Sequence, residues 1–247
     1  MTEQGRSVPQ FYMTAPSPCP YLPDREERKL FTVLAGEDAA LLNNSLTKGG
    51  FRRSQNIAYQ PACKGCEACI SVRLPVDDFN ISRNLRRVWK HNQDLDGKLC
   101  PPGPTSEQYA LFRDYLDSRH SDGGMADMNV FDYMAMVGDT GIETCIIEYR
   151  PRRPLDVEEQ SYRPPLLAAA LTDVLDDGLS MVYSFYVTDE PGRSLGTYMI
   201  LDHIERARKM GLPFVYLGYF VEGSPKMHYK SRFIPQERLG PNGWERA

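Results

Sequence analysis

Hydrophobic and polar positions divide the chain into segments of helical and of strand character. Apolar residues three and four apart predict helices over 37–48, 82–95, 106–119, 129–137 and 194–210. Alternating or continuous apolar runs predict strands over 51–59, 69–76, 144–149, 166–174, 179–187 and 214–221. Asp24 and Glu27 have the spacing of a capping box, which predicts a short helix that includes Leu30 to Leu34. The polar, proline-rich segment 151–164 is predicted to be a loop.

The order of these elements changes at a cluster of prolines, Pro101, Pro102 and Pro104, which we interpret as a domain boundary. We expect a smaller α+β domain that contains a cysteine group over 1–102. Helices and strands alternate over 103–247, which is typical of an α/β domain. Within it, the segment 181–221 has the order strand, glycine-containing turn, helix, strand. The predicted fold of this second domain is a mixed sheet flanked by helices.

Composition and charge narrow the class of protein. The 247 residues are 41% hydrophobic and 25% charged, which is ordinary for a globular protein. No apolar run approaches the roughly 18 residues that a membrane-spanning helix needs, and residues 1–10 lack the apolar core of a signal peptide. We therefore expect a cytoplasmic protein without a membrane partner. The net charge of −4 disfavours a general nucleic-acid binder, so any nucleic-acid contact must be local.

One predicted helix, 82–95, carries such a local basic face. At about 100° per residue, its apolar side chains fall on one side and its basic side chains on the other. The basic residues are Arg83, Arg86, Arg87 and Lys90. No acidic residue follows them in the helix before Asp94, so a phosphate-backbone contact and a simply solvated face are both open.

Three of the six cysteines are spaced as metal ligands commonly are. Cys63, Cys66 and Cys69 follow one another at intervals of three, and Cys19 could supply a fourth sulfur. In a reducing compartment such cysteines are thiols or metal ligands rather than disulfides. Zinc, an iron–sulfur cluster and unliganded thiols of a loop and a strand are the three interpretations.

The turn before the helix 194–210 is a candidate anion site, because backbone N–H groups at a helix start attract anions. GNAT acetyltransferases hold the pyrophosphate of coenzyme A in an Arg/Gln-x-x-Gly-x-Gly/Ala loop at this kind of junction. Here Arg193 and Gly196 match, but Tyr198 stands where that loop has a small residue. A CoA-dependent N-acetyltransferase is thus an alternative that the degenerate loop disfavours.

Six longer stretches carry a far more specific resemblance. They are FYMTAPSPCPYLP (Phe11 to Pro23), GGFRRSQNIAYQPACKGCEACISVR (Gly49 to Arg73), SRNLRRVWKHNQDL (Ser82 to Leu95), DGLSMVYSFY (Asp177 to Tyr186), SLGTYMILDHI (Ser194 to Ile204) and YLGYFVEGSPKMHYKSRFIPQE (Tyr216 to Glu237). In this order and over nearly the whole chain, the sequence resembles the bacterial aspartate/glutamate leucyltransferases. These are relatives of the eukaryotic arginyl-tRNA–protein transferases.

The resemblance implies a GNAT-like carboxyl-terminal domain that uses aminoacyl-tRNA in place of acetyl-CoA. It implies transfer of leucine from Leu-tRNA to proteins that begin with Asp or Glu. It also implies that an N-degron adaptor and its protease then recognise these proteins. In eukaryotic relatives, cysteines of the amino-terminal domain bind a metal or an iron–sulfur cluster. Arginine as the donor amino acid, and a non-catalytic zinc or iron–sulfur protein that binds RNA, are the alternatives.

Aminolysis of an aminoacyl ester requires no cofactor, because the ester is already activated. It requires a base for the α-amine, whose ordinary pKa is about 7.7–8.0, and donors for the oxyanion. The candidate catalytic residues are Asp173, Tyr186 and His228. An acidic acceptor needs a cation, for which the candidates are Arg52, Arg53 and Arg73. Besides the basic helix, the candidates for binding tRNA are Ser194, Gly196, Lys226, Tyr229 and Lys230.

Overall fold

The computed structural model describes residues 8–119, 125–153 and 164–247. In the first of these ranges the strands are β1 Phe11–Met13, β2 Ser17–Pro18, β3 Glu26–Glu27, β4 Lys29–Val33, β5 Arg52–Ser54, β6 Ile57–Pro61, β7 Cys69–Pro75 and β8 Leu95–Cys100. The other ranges contain β9 Thr144–Pro151, β10 Ala168–Val174, β11 Gly178–Tyr186, β12 Phe214–Val221, β13 Glu237–Gly240 and β14 Gly243–Arg246. The helices are α1 Ala39–Lys48, α2 Arg83–His91, α3 Ser106–Arg119, α4 Val130–Gly138 and α5 Leu195–Met210.

A large mixed sheet organises these elements. Its strand order is β14-β13-β7-β12-β11-β10-β9-β8, and β11 and β12 are its parallel pair. Helix α5 makes the crossover between these two strands, so the predicted strand–turn–helix–strand unit is confirmed. A smaller sheet has the order β1-β4-β6-β5, and β2 pairs with β3 alone.

Both faces of the large sheet are covered by helices. Along β10, Ala168 and Ala170 pack into a core with α2 and α5, whereas Ala169 and Leu171 pack into a second core with α3 and α4. This alternation follows from the two-residue period of a strand. The predicted fold class, a mixed sheet flanked by helices, is confirmed. A third small cluster, Leu34, Ala39 and Ala58, joins α1 to the small sheet.

Two of the predicted elements are wrong. The segment after Asp24 forms β3 and β4 instead of a helix, because Phe31 pairs with Tyr12 of β1 and Tyr59 of β6. Strand pairing therefore outweighs the capping-box spacing. The predicted strand 51–59 is a hairpin, β5 and β6, which turns at Gln55 with a φ of 51°. The sequence also did not predict β13 and β14, the last two strands of the chain.

The predicted helix 82–95 begins as expected and ends early. Ser82 caps it by accepting a hydrogen bond from the Leu85 N–H at 3.4 Å. The helix ends at His91 because Asn92 turns inwards, where its Nδ2 donates to the carbonyls of Val88 at 2.9 Å and Arg193 at 2.8 Å. Strand β8 then starts at Leu95.

The segment 1–102 contributes the small sheet and also β7 and β8 of the large sheet. Strand β7 lies between β13 and β12, so the two segments that the sequence separates at residue 102 share one sheet. Of the predicted loop 151–164, residues 154–163 lie outside the described residues. No helix in the described part of the chain has the length and apolar character needed to cross a membrane.

A buried histidine links α5 to β10. His203 is inaccessible to solvent; its Nε2 lies 2.8 Å from the Thr172 hydroxyl and its Nδ1 lies 2.6 Å from the Met199 carbonyl. The Nδ1 proton is donated to Met199, so Nε2 accepts from Thr172. Burial lowers the pKa of His203 from 6.5 to about 4, because a charged imidazolium loses its hydration there. The folded protein therefore holds this ring neutral.

Because His203 is buried in its neutral form, we expect the folded protein to lose stability as the pH falls from 6.5 towards 4. The contribution of His203 to the free energy of unfolding is complete above pH 6.5 and is lost as the pH falls towards 4, since the unfolded chain binds the proton first. The total loss is about 3 kcal/mol. Urea unfolding of His203→Gln between pH 7 and 4 should show a shallower pH dependence than the unsubstituted protein. The control His91→Gln, at an exposed position, should keep the original slope, and equal slopes for both variants would contradict the assignment.

Candidate active site

The parallel pair β11 and β12 separates in the middle of the large sheet. The two strands pair only from Gly178–Ser180 to Phe214–Tyr216, although β11 continues to Tyr186 and β12 to Val221. A bulge at Val182, where the register with β10 shifts, coincides with this separation. Beyond Ser180, the β12-facing edge of β11 therefore presents backbone groups with no strand partner among the described residues. We call this opening the strand split.

Arg52 of β5 reaches into the strand split. Its Nη2 donates to the Met181 carbonyl at 2.7 Å and to the Val182 carbonyl at 3.1 Å. On β12 it passes over Gly218, where a Cβ atom would lie 1.2 Å from Nη1. Gly218 also has a φ of 73°, so glycine is required there by both space and conformation. Within the described residues, no carboxylate forms an ion pair with this half-buried guanidinium.

Arg53 and Asp173 form a buried ion pair. Arg53 Nε donates to Asp173 Oδ2 at 2.8 Å and Nη2 donates to Oδ1 at 2.7 Å, while both side chains are 1% exposed. Thr144 adds a hydrogen bond to Oδ1 at 3.0 Å. Arg53 was predicted to bind the acceptor and Asp173 to act in catalysis. Both interpretations are corrected, because each side chain is occupied by the other and neither reaches solvent.

Arg73 is held in a cage. Its Nε donates to Glu237 Oε2 at 2.7 Å, and its guanidinium carbon lies 3.6 Å from the ring centre of Phe214 and 4.4 Å from that of Trp244. Cation–π contacts and the carboxylate together satisfy this cation. The predicted acceptor role of Arg73 is therefore corrected to a structural one. Of the three candidate arginines, Arg52 is the one whose charge is left available.

Four tyrosines come near one another, and we call them the tyrosine hollow: Tyr115 of α3, Tyr183 and Tyr186 of β11, and Tyr229 of the short 3-10 helix His228–Arg232. Of the four, Tyr229 is influenced by Arg52. The ring centres of Tyr115 and Tyr186 are 4.9 Å apart. Tyr229 is 39% exposed, and burial of its hydroxyl end raises its pKa to about 12 although the nearby Arg52 lowers it. The Tyr229 phenol is therefore neutral and able to donate a hydrogen bond. The candidates Tyr186 and Tyr229 thus meet at one place.

Lys230 does not face solvent. Its Nζ donates to the Tyr219 carbonyl, and its pKa lies well below the ordinary value, first because of burial and second because of Arg52. The prediction that it contacts tRNA is corrected, since a buried amine cannot reach a phosphate. Lys226 and His228, in contrast, are exposed on the same loop and can meet a ligand.

The start of α5 lies at the end of α2. Ser194 adopts a left-handed conformation with a φ of 50°, and the N–H groups of Leu195 and Gly196 have no partner within the helix. A Cβ on Gly196 would lie 3.1 Å from the Tyr186 ring, so this helix start borders the tyrosine hollow. Asn92 at the end of α2 bonds to the Arg193 carbonyl just before it.

The basic face of α2 therefore lies next to the start of α5. Arg83, Arg86, Arg87 and Lys90 are all exposed, in agreement with the predicted helix face. Arg193 is not part of this basic surface, because it forms a two-point pair with Asp94, with both N–O distances at 2.9 Å, and a further ion pair with Glu190. These carboxylates neutralise the residue that a CoA loop would turn towards pyrophosphate.

The four candidate cysteines meet at one cavity of about 60 Å³, between the β2–β3 hairpin and the segment before β7. Arg25 donates to Cys66 Sγ at 3.1 Å, and a hydrogen bond from the Ala68 backbone followed by this arginine lowers the Cys66 pKa. Burial and the neighbouring thiols of Cys19, Cys63 and Cys66 raise the pKa of Cys69 to about 11. Within residues 8–119, 125–153 and 164–247, no three possible ligands stand in a ready-made metal-binding arrangement.

This cavity adjoins the strand split through Tyr219. The Tyr219 ring lines the cavity, and its hydroxyl donates to the carbonyls of Gly50 at 3.0 Å and Tyr59 at 3.1 Å. The preceding residue is Gly218, which accommodates Arg52. Strand β12 thus forms one wall of the cysteine cavity and one wall of the strand split.

Sequence reasoning missed three residues of this site. Gly218 left a readable signal, because an isolated glycine inside an apolar strand indicates a bulge or a close approach of another group. Tyr115 and Tyr183 left none, since aromatic residues at helix and strand spacing equally predict core packing.

Comparison with known proteins adds relatives that cover the whole chain. A family model for the carboxyl terminus of arginine-tRNA-protein transferases matches residues 107–240, and one for the amino terminus matches residues 17–87. A protein of Azorhizobium caulinodans named aspartate/glutamate leucyltransferase is 64% identical and covers 100% of this chain and 99% of its own. Proteins with the same name from Xanthobacter autotrophicus and Brucella abortus are 63% and 61% identical, each with 100% of this chain and 99% of its own covered.

Solved structures support the fold. The structure of FemX aligns with a TM-score of 0.50 over 84% of this chain and 68% of its own, at 9% sequence identity. At that identity the likeness concerns the fold alone. It agrees with the predicted GNAT-like arrangement of the sheet and its helices.

Proposed function

Because this chain belongs to the arginine-tRNA-protein transferase family, we propose that its aminoacyl transfer takes place at the strand split. The protein is a leucyltransferase that moves leucine from Leu-tRNA to the amino-terminal Asp or Glu of an acceptor protein. The observation that carries the location is Arg52, a half-buried cation without a carboxylate partner among the described residues.

Arg52 receives the acidic side chain of the acceptor. Two of its bonds go to backbone carbonyls, and these orient the guanidinium without cancelling its charge. A carboxylate can then form charge-assisted hydrogen bonds with the remaining N–H groups. This contact sets the acceptor's α-amine beside the tyrosine hollow.

The reaction forms an amide from an ester. The neutral α-amine attacks the ester carbonyl, a tetrahedral oxyanion forms, and the ribose hydroxyl leaves with a proton while the amine loses one. The N–H groups along the unpaired edge of β11 and the hydroxyl of Tyr186 are the donors for the oxyanion and the leaving oxygen. With Asp173 paired, the exposed His228 is the candidate acceptor for the amine's proton.

The tRNA lies across the basic face of α2 and the start of α5. The exposed Arg83, Arg86, Arg87 and Lys90 contact phosphates, and the N–H groups following Ser194 hold a phosphate near the CCA end. Lys226 and Tyr229 approach the same end from the loop after β12. Coenzyme A is disfavoured in this role because Arg193 is neutralised by two carboxylates.

We also propose that the protein works in the cytoplasm and that its products pass to an N-degron adaptor and protease. Free thiols at all six cysteines agree with a reducing compartment. A leucine placed ahead of Asp or Glu changes the amino-terminal side chain from acidic to aliphatic, which is a change that a downstream receptor can read.

The cysteine cavity is proposed to hold zinc or an iron–sulfur cluster. Its four thiols are soft donors, which suit these groups. Binding would require the thiols to close in, because no three of them are in coordinating positions within the described residues. A bound metal would fasten the β2–β3 hairpin to the segment before β7 and would take no part in the chemical step.

Arg52→Ala is expected to lower kcat/KM for a peptide that begins with Asp by about 10- to 100-fold, since it removes a hydrogen bond to a charged group. The preference for Asp over Asn at the acceptor's first position should fall by a similar factor. The matched control Arg73→Gln should keep the preference even if it destabilises the fold. An unchanged Asp-to-Asn ratio in Arg52→Ala would contradict the acceptor role.

Replacing Arg86 and Arg87 together by Gln is expected to weaken tRNA binding and to reduce the slope of log K against log salt by about 0.7–0.9 for each lost phosphate contact. Filter binding over a range of salt concentrations measures this slope. Lys209→Gln, an exposed charge at the opposite end of α5, serves as the control. If the double variant and the unsubstituted protein have the same slope of log K against log salt, the α2 face is excluded as a phosphate contact.

Elemental analysis of protein purified without oxygen is expected to find about one zinc ion or one cluster per chain, bound through four thiolates. Cys66→Ser should remove most of the metal, whereas Cys145→Ser on β9 should retain it. A resident metal would be refuted if the metal-free protein is fully active and if its stability does not change on incubation with zinc or with iron and sulfide.

A further inference from the structure

Lys230 anchors an exposed loop. The other residues of the segment 225–232 are exposed or half-buried, whereas Lys230 is 3% exposed and is the buried residue of the 3-10 helix His228–Arg232. A lysine is rarely buried unless a carboxylate pairs with it. In the described part of the chain no carboxylate forms an ion pair with this amine, so its burial costs free energy that an apolar anchor would not cost.

The amine of Lys230 is directed to one backbone atom. Its Nζ donates to the carbonyl of Tyr219, and the 3-10 helix packs against β12, the strand that carries this carbonyl. Tyr219 follows Gly218, where a Cβ atom would lie 1.2 Å from Nη1 of Arg52. Tyr219 also lies beyond Tyr216, the last residue of β12 that pairs with β11. The lysine therefore fastens the loop to β12 at the strand split.

Gln236 fixes the backbone of the same residue. Its side chain is fully buried, and its Nε2 donates to the carbonyls of Lys230 at 3.0 Å and Phe233 at 3.1 Å. Phe233 is itself inaccessible to solvent and packs against Phe79 in the core, with the ring centres 6.4 Å apart. Lys230 is thus held both through its side chain and through its carbonyl.

The position of the exposed His228 depends on these contacts. His228 stands two residues before Lys230 in the same 3-10 helix, and its carbonyl accepts from the Ser231 hydroxyl at 2.7 Å. The Lys230 N–H donates to the Met227 carbonyl at 3.2 Å, so the turn that carries His228 ends on the anchored residue. A hydrogen bond has a preferred direction, which apolar burial lacks. The buried amine therefore sets the position of the helix more narrowly than an aliphatic side chain would.

We propose that Lys230 is a positioning residue of the transfer reaction, which fastens the 3-10 helix to β12 and so holds His228 where its imidazole accepts the proton of the acceptor's α-amine. The inference rests on the proposed function, because it takes the strand split as the site of transfer and His228 as the proton acceptor. Misplacing a reacting group by about 1 Å lowers a rate about 100-fold. Lys230 therefore contributes to the rate of transfer and not to the stability of the fold.

Lys230→Met keeps the length of the side chain and removes the amine. Its kcat for transfer from Leu-tRNA to a peptide that begins with Asp should fall by about 10- to 100-fold. The KM for the peptide and the Kd for Leu-tRNA should stay within about twofold, because Arg52 and the basic face of α2 are unchanged. The midpoint of urea unfolding should change little, since the loss of the bond to Tyr219 and the removal of a buried amine have opposite effects.

A double-mutant cycle shows whether Lys230 acts through His228. His228→Ala alone should lower kcat, and adding Lys230→Met should lower it further by no more than about twofold, because residues that act as a unit are not additive. Gln236→Leu, which removes the donor to the Lys230 carbonyl, should also lower kcat in the unsubstituted background and not in His228→Ala. It takes the place of Lys230→Met if that variant does not fold.

Tyr133→Phe is the matched control, because it also removes one buried side-chain hydrogen bond. Tyr133 lies on α4, and its hydroxyl donates to Gln108 Oε1 at 3.1 Å, outside the strand split. The variant should lower the midpoint of urea unfolding and keep kcat. It thereby shows that a loss of stability alone does not slow the transfer.

The outcomes separate this inference from the proposed function. An unchanged kcat in Lys230→Met and Gln236→Leu overturns the positioning role, and so does a fall in stability with kcat retained. An equal loss of kcat with and without His228 shows that Lys230 does not act through this histidine. An unchanged kcat in His228→Ala overturns the inference and leaves the transfer reaction standing. No transfer by the unsubstituted protein overturns the proposed function together with this inference.

Discussion

The buried ion pair between Arg53 and Asp173 holds the two sheets in the relation that the site needs. It joins β5 of the small sheet to β10 of the large one through two hydrogen bonds, in a place closed to water. Removing one member of such a pair costs about 3–5 kcal/mol, because the other charge is left buried alone. Arg52 is the residue before Arg53 on β5, so its position in the strand split depends on this attachment.

The site is formed where two parts of the chain meet. The part before residue 102 supplies Arg52, the basic face of α2 and the four cysteines of the cavity. The part after it supplies Tyr115, Tyr186, the start of α5 and the loop of His228. Strand β7, placed between β13 and β12, ties these parts into one sheet. The proposed donor contacts thus come from both parts, and the shared sheet fixes their position relative to Arg52.

Local patterns predicted the elements more fully than the site. Helix α3 and strand β12 have the predicted bounds, because their apolar periodicity is long and uninterrupted. The capping-box spacing at Asp24 misled, since the pairing of Phe31 is decided by strands far away in sequence. The sequence also did not distinguish the three candidate arginines Arg52, Arg53 and Arg73, because their partners too are far away in sequence. Their partners, Asp173 for Arg53 and Glu237 for Arg73, lie 120 and 164 residues further along the chain.

Gly218 gives the strand split a constraint that extends beyond this one chain. Its missing side chain is the space that the Arg52 guanidinium fills. A larger residue at 218 would expel the arginine, and a smaller residue at 52 would leave a void over the glycine. A side chain at position 218 is therefore compatible with this chain only if the residue at 52 changes as well.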